Sequence, residues 1–268
     1  MSSIVSNVPR RTGYVFEEIY MWHNPGTLPG TKWTEPCEFW ENSDTKRRFH
    51  NLMAVAGLTD KLVPIRAVPA TREQITKFHS EQYHDRIVRE SSERGGEGGD
   101  MAPFSKGGYE IAALSAGGVL RAVEAVIAGS VDNAYCLVRP PGHHAVKDQG
   151  MGFCLFNNVA LAAIHARTLK TKSGKAVQRI AIVDYDVHHG NGTQEAFYDD
   201  AECLFISLHQ DNNYPQGCGS HLENGGENAK VSIELNSRFL IEYDLFSGLQ
   251  YQYSYACWMR TWCLRAGF

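Results

Sequence analysis

Apolar and polar positions along this chain fall into two rhythms. Short apolar runs bounded by polar or Pro/Gly residues mark buried strands at residues 134–138, 179–183 and 203–208. Between them, apolar residues recur at helical spacing. Residues 110–128 form an Ala-rich helix that Gly129 ends, residues 158–164 open another, and residues 193–197 make a short one. Thr71-Arg72-Glu73-Gln74 has the form of a capping box that opens a short helix towards His79. Strands alternating with helices imply right-handed crossovers and a parallel sheet, hence a wound α/β architecture. The glycine-rich stretch at residues 93–100 reads as a flexible loop inside the domain. It is no phosphate cradle, because no strand feeds it and no Lys-Ser/Thr follows.

The chemistry gathers at two of these strand ends. Residues 179–183 run into Asp184-Tyr185-Asp186-Val187-His188-His189-Gly190-Asn191-Gly192, so carboxylates and imidazoles stand where a strand gives way to a loop. Ligands bind at that carboxyl edge in open parallel α/β sheets. Asp with His two residues on suits a divalent metal such as zinc. Taken alone, such a pair is better explained as a solvated polar loop. A second strand end alters that balance: residues 134–138 lead into Arg139-Pro140-Pro141-Gly142-His143-His144. Pro-Pro-Gly stops the strand and stiffens the loop. Adjacent imidazoles, with ordinary pKa values near neutrality, suit proton transfer. The alternative for that pair, two exposed rings on a turn, loses ground once both strand ends are considered together.

His143-His144, then Gly152-Phe153-Cys154-Leu155-Phe156-Asn157-Asn158, then Asp184-x-Asp186-x-His188-His189-Gly190-Asn191-Gly192 together resemble the zinc-dependent histone deacetylase family. The Pro-Pro-Gly-His-His form, and Asn191 where other members carry Asp, look like the class II branch with its bacterial and fungal relatives. So do Thr12-Gly13-Tyr14-Val15 and Tyr20-Met21-Trp22-His23. The similarity runs from Gly13 to the neighbourhood of Lys230. It implies a three-layer α/β/α fold of the arginase/deacetylase type, with a mainly parallel sheet and the C-terminal part missing. The implied reaction is zinc-dependent hydrolysis of the acetyl amide of acetyl-lysine in histones or other proteins.

The resemblance also assigns roles. Asp186 and His188 become zinc ligands, and His143 and His144 become base and acid towards the zinc-bound water and the leaving amine. Asp184 would orient His143, and Asn191 would contact His144. An uncharged Asn in that place lets His144 lose its proton more easily than an Asp would. Gly152 and Phe153, facing Tyr214 where the family usually has Phe, would line a channel for the acyl-lysine chain; ordinary core packing is the alternative for the two aromatics. Asp184, Asp186, His188, Ser207 and Leu208 match a structural site for a monovalent cation, usually potassium. His209 and His221 match no role and are expected to be structural or exposed.

The pattern stops after Val231-Ser232-Ile233-Glu234-Leu235. The family's Asp-rich motif with the third zinc ligand is not found, nor is the Gly-rich loop whose Tyr stabilises the oxyanion. Asp244 is the last carboxylate, and the residues after it are rich in Tyr, Trp and Phe. The spacing of Asp244, Glu242, Cys257 and Cys263 does not recommend them as substitute ligands. The expected organisation is therefore an incomplete deacetylase domain over residues 1–235 and a divergent aromatic-rich tail over residues 236–268. Two ligands make a weak zinc site, and loss of an oxyanion donor costs on the order of a hundredfold or more. Impaired turnover is expected. Two other readings stay open: an amidohydrolase of acetylpolyamines or similar small amides, and a catalytically dead relative that binds acyl-lysine or partner proteins.

Composition narrows the rest. With 268 residues, 43% of them apolar, and no linker that separates two halves, the chain suits a single large core. A net charge of −4 argues against a nucleic-acid-binding surface. No apolar run is long enough for a membrane span and no secretory signal opens the chain. Seven cysteines in no regular array point to a reducing compartment, nucleus or cytoplasm, with Cys136 and Cys154 expected in the core. Arg10-Arg11 and Lys46-Arg47-Arg48 read as solvated basic clusters. By resemblance, the partners are an acetylated protein or peptide and corepressor-type proteins.

Overall fold

A computed structural model describes residues 10–24 and 39–226, together with the backbone of residues 232–236. In chain order the elements are β1 (Thr12–Val15), α1 (Ser43–Val55), β2 (Val63–Pro64), α2 (Arg72–Ile75), α3 (Glu81–Glu93), β3 (Gly95–Glu97), β4 (Gly99–Asp100), β5 (Pro103–Ser105) and α4 (Gly108–Ile127). They continue with β6 (Asn133–Cys136), β7 (Gly150–Met151), α5 (Asn158–Ala166), β8 (Ile180–Asp184), α6 (Asn191–Phe197), β9 (Cys203–His209) and β10 (Ser232–Asn236). Short 3-10 turns occupy Glu18–Trp22 and Thr59–Lys61. Two parallel three-stranded sheets, β2-β1-β6 and β10-β9-β8, carry the site, and β3-β5 and β4-β7 form small pairs beside it. This is the mainly parallel α/β arrangement expected from the alternating pattern.

The long helix α4 explains how the layers come so close. Its buried face is built from Ala112, Ala113, Ala116, Gly117 and Gly118. A Cβ at Gly117 would lie 1.8 Å from the Val68 carbonyl oxygen, so only glycine admits the chain crossing there. The helix ends in a Schellman motif. Gly129, at φ +70°, donates to the Val126 carbonyl, and Ser130 donates to that of Ala125. The capping box at Thr71 forms as read: Gln74 N–H donates to Thr71 Oγ1, and Thr71 N–H donates to Gln74 Oε1.

Two expectations need correcting, and two helices add to the reading. The glycine-rich stretch is not a flexible loop, because β3 pairs with β5 and β4 pairs with β7. Lys46 is no solvated charge; it is buried and ion-paired with Glu41. Helices α1 and α3 went unread, because α3 buries Tyr83 and Ile87 together with the polar His84 and Ser91, which dilutes its apolar stripe. Cys136 and Cys154 are buried, His209 is buried and His221 is exposed. Residues 237–268, with Glu242, Asp244, Cys257 and Cys263, lie outside the described residues, as does Lys230. Among the described residues no helix is long and apolar enough to cross a membrane.

Candidate active site

The loop after β6 is built from below. Arg139 is fully buried and its guanidinium donates to Glu41 Oε2 and to the Glu41 carbonyl, both at 2.8 Å. It also reaches the carbonyls of Tyr20, Met21 and His23 at the end of the first 3-10 turn. Asn157 caps α5 by accepting from Ala160 N–H at 3.0 Å. Its amide Nδ2 donates to the Ala145 carbonyl at 3.2 Å and to Thr193 Oγ1 at 3.3 Å. Gly192 and Thr193, in the first turn of α6, both donate backbone N–H bonds to the His143 carbonyl. The two histidine-bearing loops are thus stitched together through α5 and α6.

On that base the predicted residues meet. His143 Nδ1 lies 2.8 Å from Asp184 Oδ2, and a carboxylate only accepts, so Nδ1 carries the proton. His144 Nδ1 lies 2.8 Å from Asn191 Oδ1. Asn191 Nδ2 donates to the His144 carbonyl at 3.4 Å and faces Met151 Sδ at 3.5 Å, which turns the amide oxygen towards the ring. The two rings stand 3.9 Å apart, centroid to centroid. Asp186 Oδ1 accepts from His188 N–H at 2.9 Å and lies 3.1 Å from His188 Nδ1. Asp186 N–H in turn donates to Asp184 Oδ1 at 3.1 Å. Gly190 is required here, since a Cβ would sit 2.3 Å from Asp184 Oδ2.

A histone deacetylase domain profile matches residues 40–247, which span both histidine loops. The chain belongs to the histone deacetylase family. It is 44% identical over 234 residues to a histone deacetylase-like amidohydrolase of Pseudomonas aeruginosa, covering 85% of this chain and 60% of that protein. It is 37% identical to the polyamine deacetylase HDAC10 of Homo sapiens, covering 71% of this chain and 29% of that one. The crystal structure of the HDA15 HD domain superposes with a TM-score of 0.74 at 31% identity, over 84% of this chain and 62% of that one. The chain therefore has the α/β fold of the deacetylases, and it spans about three fifths of the bacterial protein and of the HDA15 domain chain and under a third of the polyamine deacetylase.

Within this deacetylase-family site the two histidines are electrostatically unequal. Burial opposes a charge on His143, but the Asp184 carboxylate, by charge and hydrogen bond, and Asp186 outweigh it and hold the imidazole at about 9. Burial, and then the charge on His143, push His144 well below the ordinary imidazole range; the Asn191 hydrogen bond opposes this only in part. Burial raises the Asp186 carboxyl, yet its bonds to His188 and the charge of His143 bring it below the usual carboxylate range. A carboxylate and an imidazole this close suit zinc as two of its donors. Among the described residues no group of three or more His, Cys, Asp or Glu is arranged to hold a metal.

The remaining predicted positions surround this centre. Gly152 adopts φ +48°, and a Cβ there would meet His144 Cδ2 at 2.4 Å and Tyr214 Cε1 at 2.8 Å. Tyr214 sets its ring edge-on to His144 with centroids 5.0 Å apart and near His188 at 6.3 Å. Phe153 contacts Phe39 and Trp40 edge-on at 5.1 and 6.4 Å. Ser207 pairs in register with Asp184 across β9 and β8 and is buried, while Leu208 is half-buried. The Ser207 hydroxyl lies 3.1 Å from His189 Nδ1 and 2.8 Å from His209 Nδ1. Sequence reading missed Glu41, 98 residues from Arg139, and Asp100, which accepts the Tyr214 hydroxyl at 3.0 Å. An arginine directly after an apolar run was a usable sign of a buried ion pair; nothing local marked Asp100.

Proposed function

We propose that this chain carries the site of a zinc-dependent protein-lysine deacetylase, hydrolysing the acetyl amide of acetyl-lysine in a histone or another protein. One observation carries the reading: two imidazoles 3.9 Å apart, one bonded to a carboxylate and the other to a neutral amide. Such partners separate the proton affinities of two like groups and so divide the acid and base roles. His144 donates Nδ1–H to Asn191, which leaves Nε2 as an acceptor for the proton of an attacking water. His143, held cationic through Nδ1 by Asp184, offers its Nε2 proton to the departing lysine amine, so the electrostatics of the pair favour the reverse of the base-and-acid order that the resemblance implies. Asp186 and His188 would hold zinc, and a bound zinc ion polarises the amide carbonyl and acidifies water. Gly152, Phe153 and Tyr214 would line the channel for the acyl-lysine chain, while Asp184, Asp186, His188, Ser207 and Leu208 would form the potassium site.

Among the described residues Asp186 and His188 are the side chains placed to hold zinc, and two donors bind it weakly, so we propose a low turnover carried by residues 1–235. A second reading, deacetylation of acetylpolyamines, draws on the similarity to a protein named for that activity. The loop from His23 to Lys46, which bears on this choice, lies partly outside the described residues. Comparing kcat/KM for an acetyl-lysine peptide and for acetylputrescine at fixed zinc separates the two. We expect the peptide to be preferred at least tenfold; equal or reversed preference overturns the protein-lysine assignment.

A further inference from the structure

We propose that Tyr214 is a specificity-determining residue whose hydroxyl, bonded to Asp100, closes a hoop around the acyl channel and restricts it to short acyl groups. The proposal rests on the deacetylase reading above and deepens it. Tyr214 and Gly152–Phe153 come from distant parts of the chain and face one another beside His144. The strand that bears Asp100 is fastened to the opposite wall. β4 pairs with β7, Gly152 N–H donates to the Asp100 carbonyl at 2.9 Å, and Phe153 N–H donates to the Met101 carbonyl at 2.7 Å. When the Tyr214 hydroxyl donates to Asp100 Oδ2 at 3.0 Å, it therefore bridges from one wall to the other.

A phenylalanine would keep the ring but not the bridge. Gly152 packs directly against both rings, since a Cβ there would lie 2.4 Å from His144 Cδ2 and 2.8 Å from Tyr214 Cε1, so the two walls meet without slack at that point. The ring cannot swing outward while its hydroxyl is held, so a longer acyl group meets a fixed wall. Releasing the hydroxyl lets the wall give way without disturbing the histidine pair, whose own bonds run to Asp184 and Asn191.

The test is a double-mutant cycle on the full chain with Tyr214→Phe, Asp100→Ala and the combined variant. It reads the ratio of kcat/KM for a butyryl-lysine peptide to that for the acetyl-lysine peptide. Each single change should raise the ratio about fivefold, the factor that a hydrogen bond of about 1 kcal/mol carries. The combined variant should equal either single one, because both remove the same bridge. Unchanged ratios, or additive effects, overturn the hoop. If the unmodified chain cleaves neither peptide, the deacetylase reading fails instead. The hoop is then judged by amide hydrogen exchange at residues 98–102 and 211–216: faster exchange in Tyr214→Phe supports it, and unchanged exchange overturns it.

Discussion

At the scale of single residues, the account turns on Asn191. Its amide oxygen fixes the His144 tautomer with Nδ1 protonated, and, being uncharged, it does not offset the burial and the cationic His143 that keep the ring neutral. Replacing it by Asp puts a carboxylate 2.8 Å from Nδ1, where an opposite charge favours the protonated ring. In Asn191→Asp, the His144 imidazole should titrate at higher pH, by a unit or more on the order expected for such a partner. Two-dimensional NMR of the imidazole resonances in zinc-free protein reads this directly, and an unmoved titration contradicts it. Asn191, His143, His144 and the Asp184–His188 cluster were all legible in the sequence, because each stands within a few residues of a strand end. Glu41 and Asp100 were not. Their partners lie 98 and 114 positions away, and no local pattern encodes a contact over that separation.

At the scale of elements, α2, α4 and α5 were legible because caps and stops are local: a capping box at Thr71, a Schellman glycine at Gly129, and an asparagine opening α5. What caps do not reveal is how elements lock together. His79, at the end of the α2 segment, is buried and accepts the Asn157 N–H through Nε2 at 2.9 Å, so the start of α5 depends on a neutral imidazole. Burial brings its pKa from 6.5 down to about 4, against smaller opposing contributions from backbone carbonyls. Between those values the unfolded chain binds a proton that the folded chain refuses. Stability therefore falls as pH drops from 6.5 to about 4 and levels off below, by about 3 kcal/mol for this group. Urea unfolding at pH 7 and pH 4.5 should show a smaller pH difference in His79→Gln than in the unmodified protein. Equal differences would mean that the ring titrates normally.

At the scale of the whole molecule, the alternation of strands and helices was enough to read a parallel α/β fold, and the resemblance supplied its type. The division into two three-stranded sheets was not legible, because strand order is set by long-range pairing. Among the described residues, β8 pairs with β9 alone, and alternate residues of it, Ala181 and Val183, are exposed, although strands of parallel sheets are ordinarily covered on both faces. Val183 is 42% exposed and Tyr185 39%, directly beside the site. Exposed apolar side chains on an edge strand of the described residues invite association. Sedimentation velocity should therefore show concentration-dependent association that Val183→Lys reduces; identical behaviour of the two proteins would show that this edge is not the cause.

The central claim is that the unequal histidine pair, with Asp186 and His188 beside it, hydrolyses an acetyl amide. Its most direct test is acetate release from an acetyl-lysine peptide under single-turnover conditions with zinc, comparing the full chain with His143→Ala. General acid–base catalysis by a positioned side chain contributes roughly 10²–10⁴-fold. The account therefore expects slow, zinc-dependent release that falls at least about a hundredfold in the variant. No release from the unmodified chain with zinc bound, or equal release from both, would contradict it.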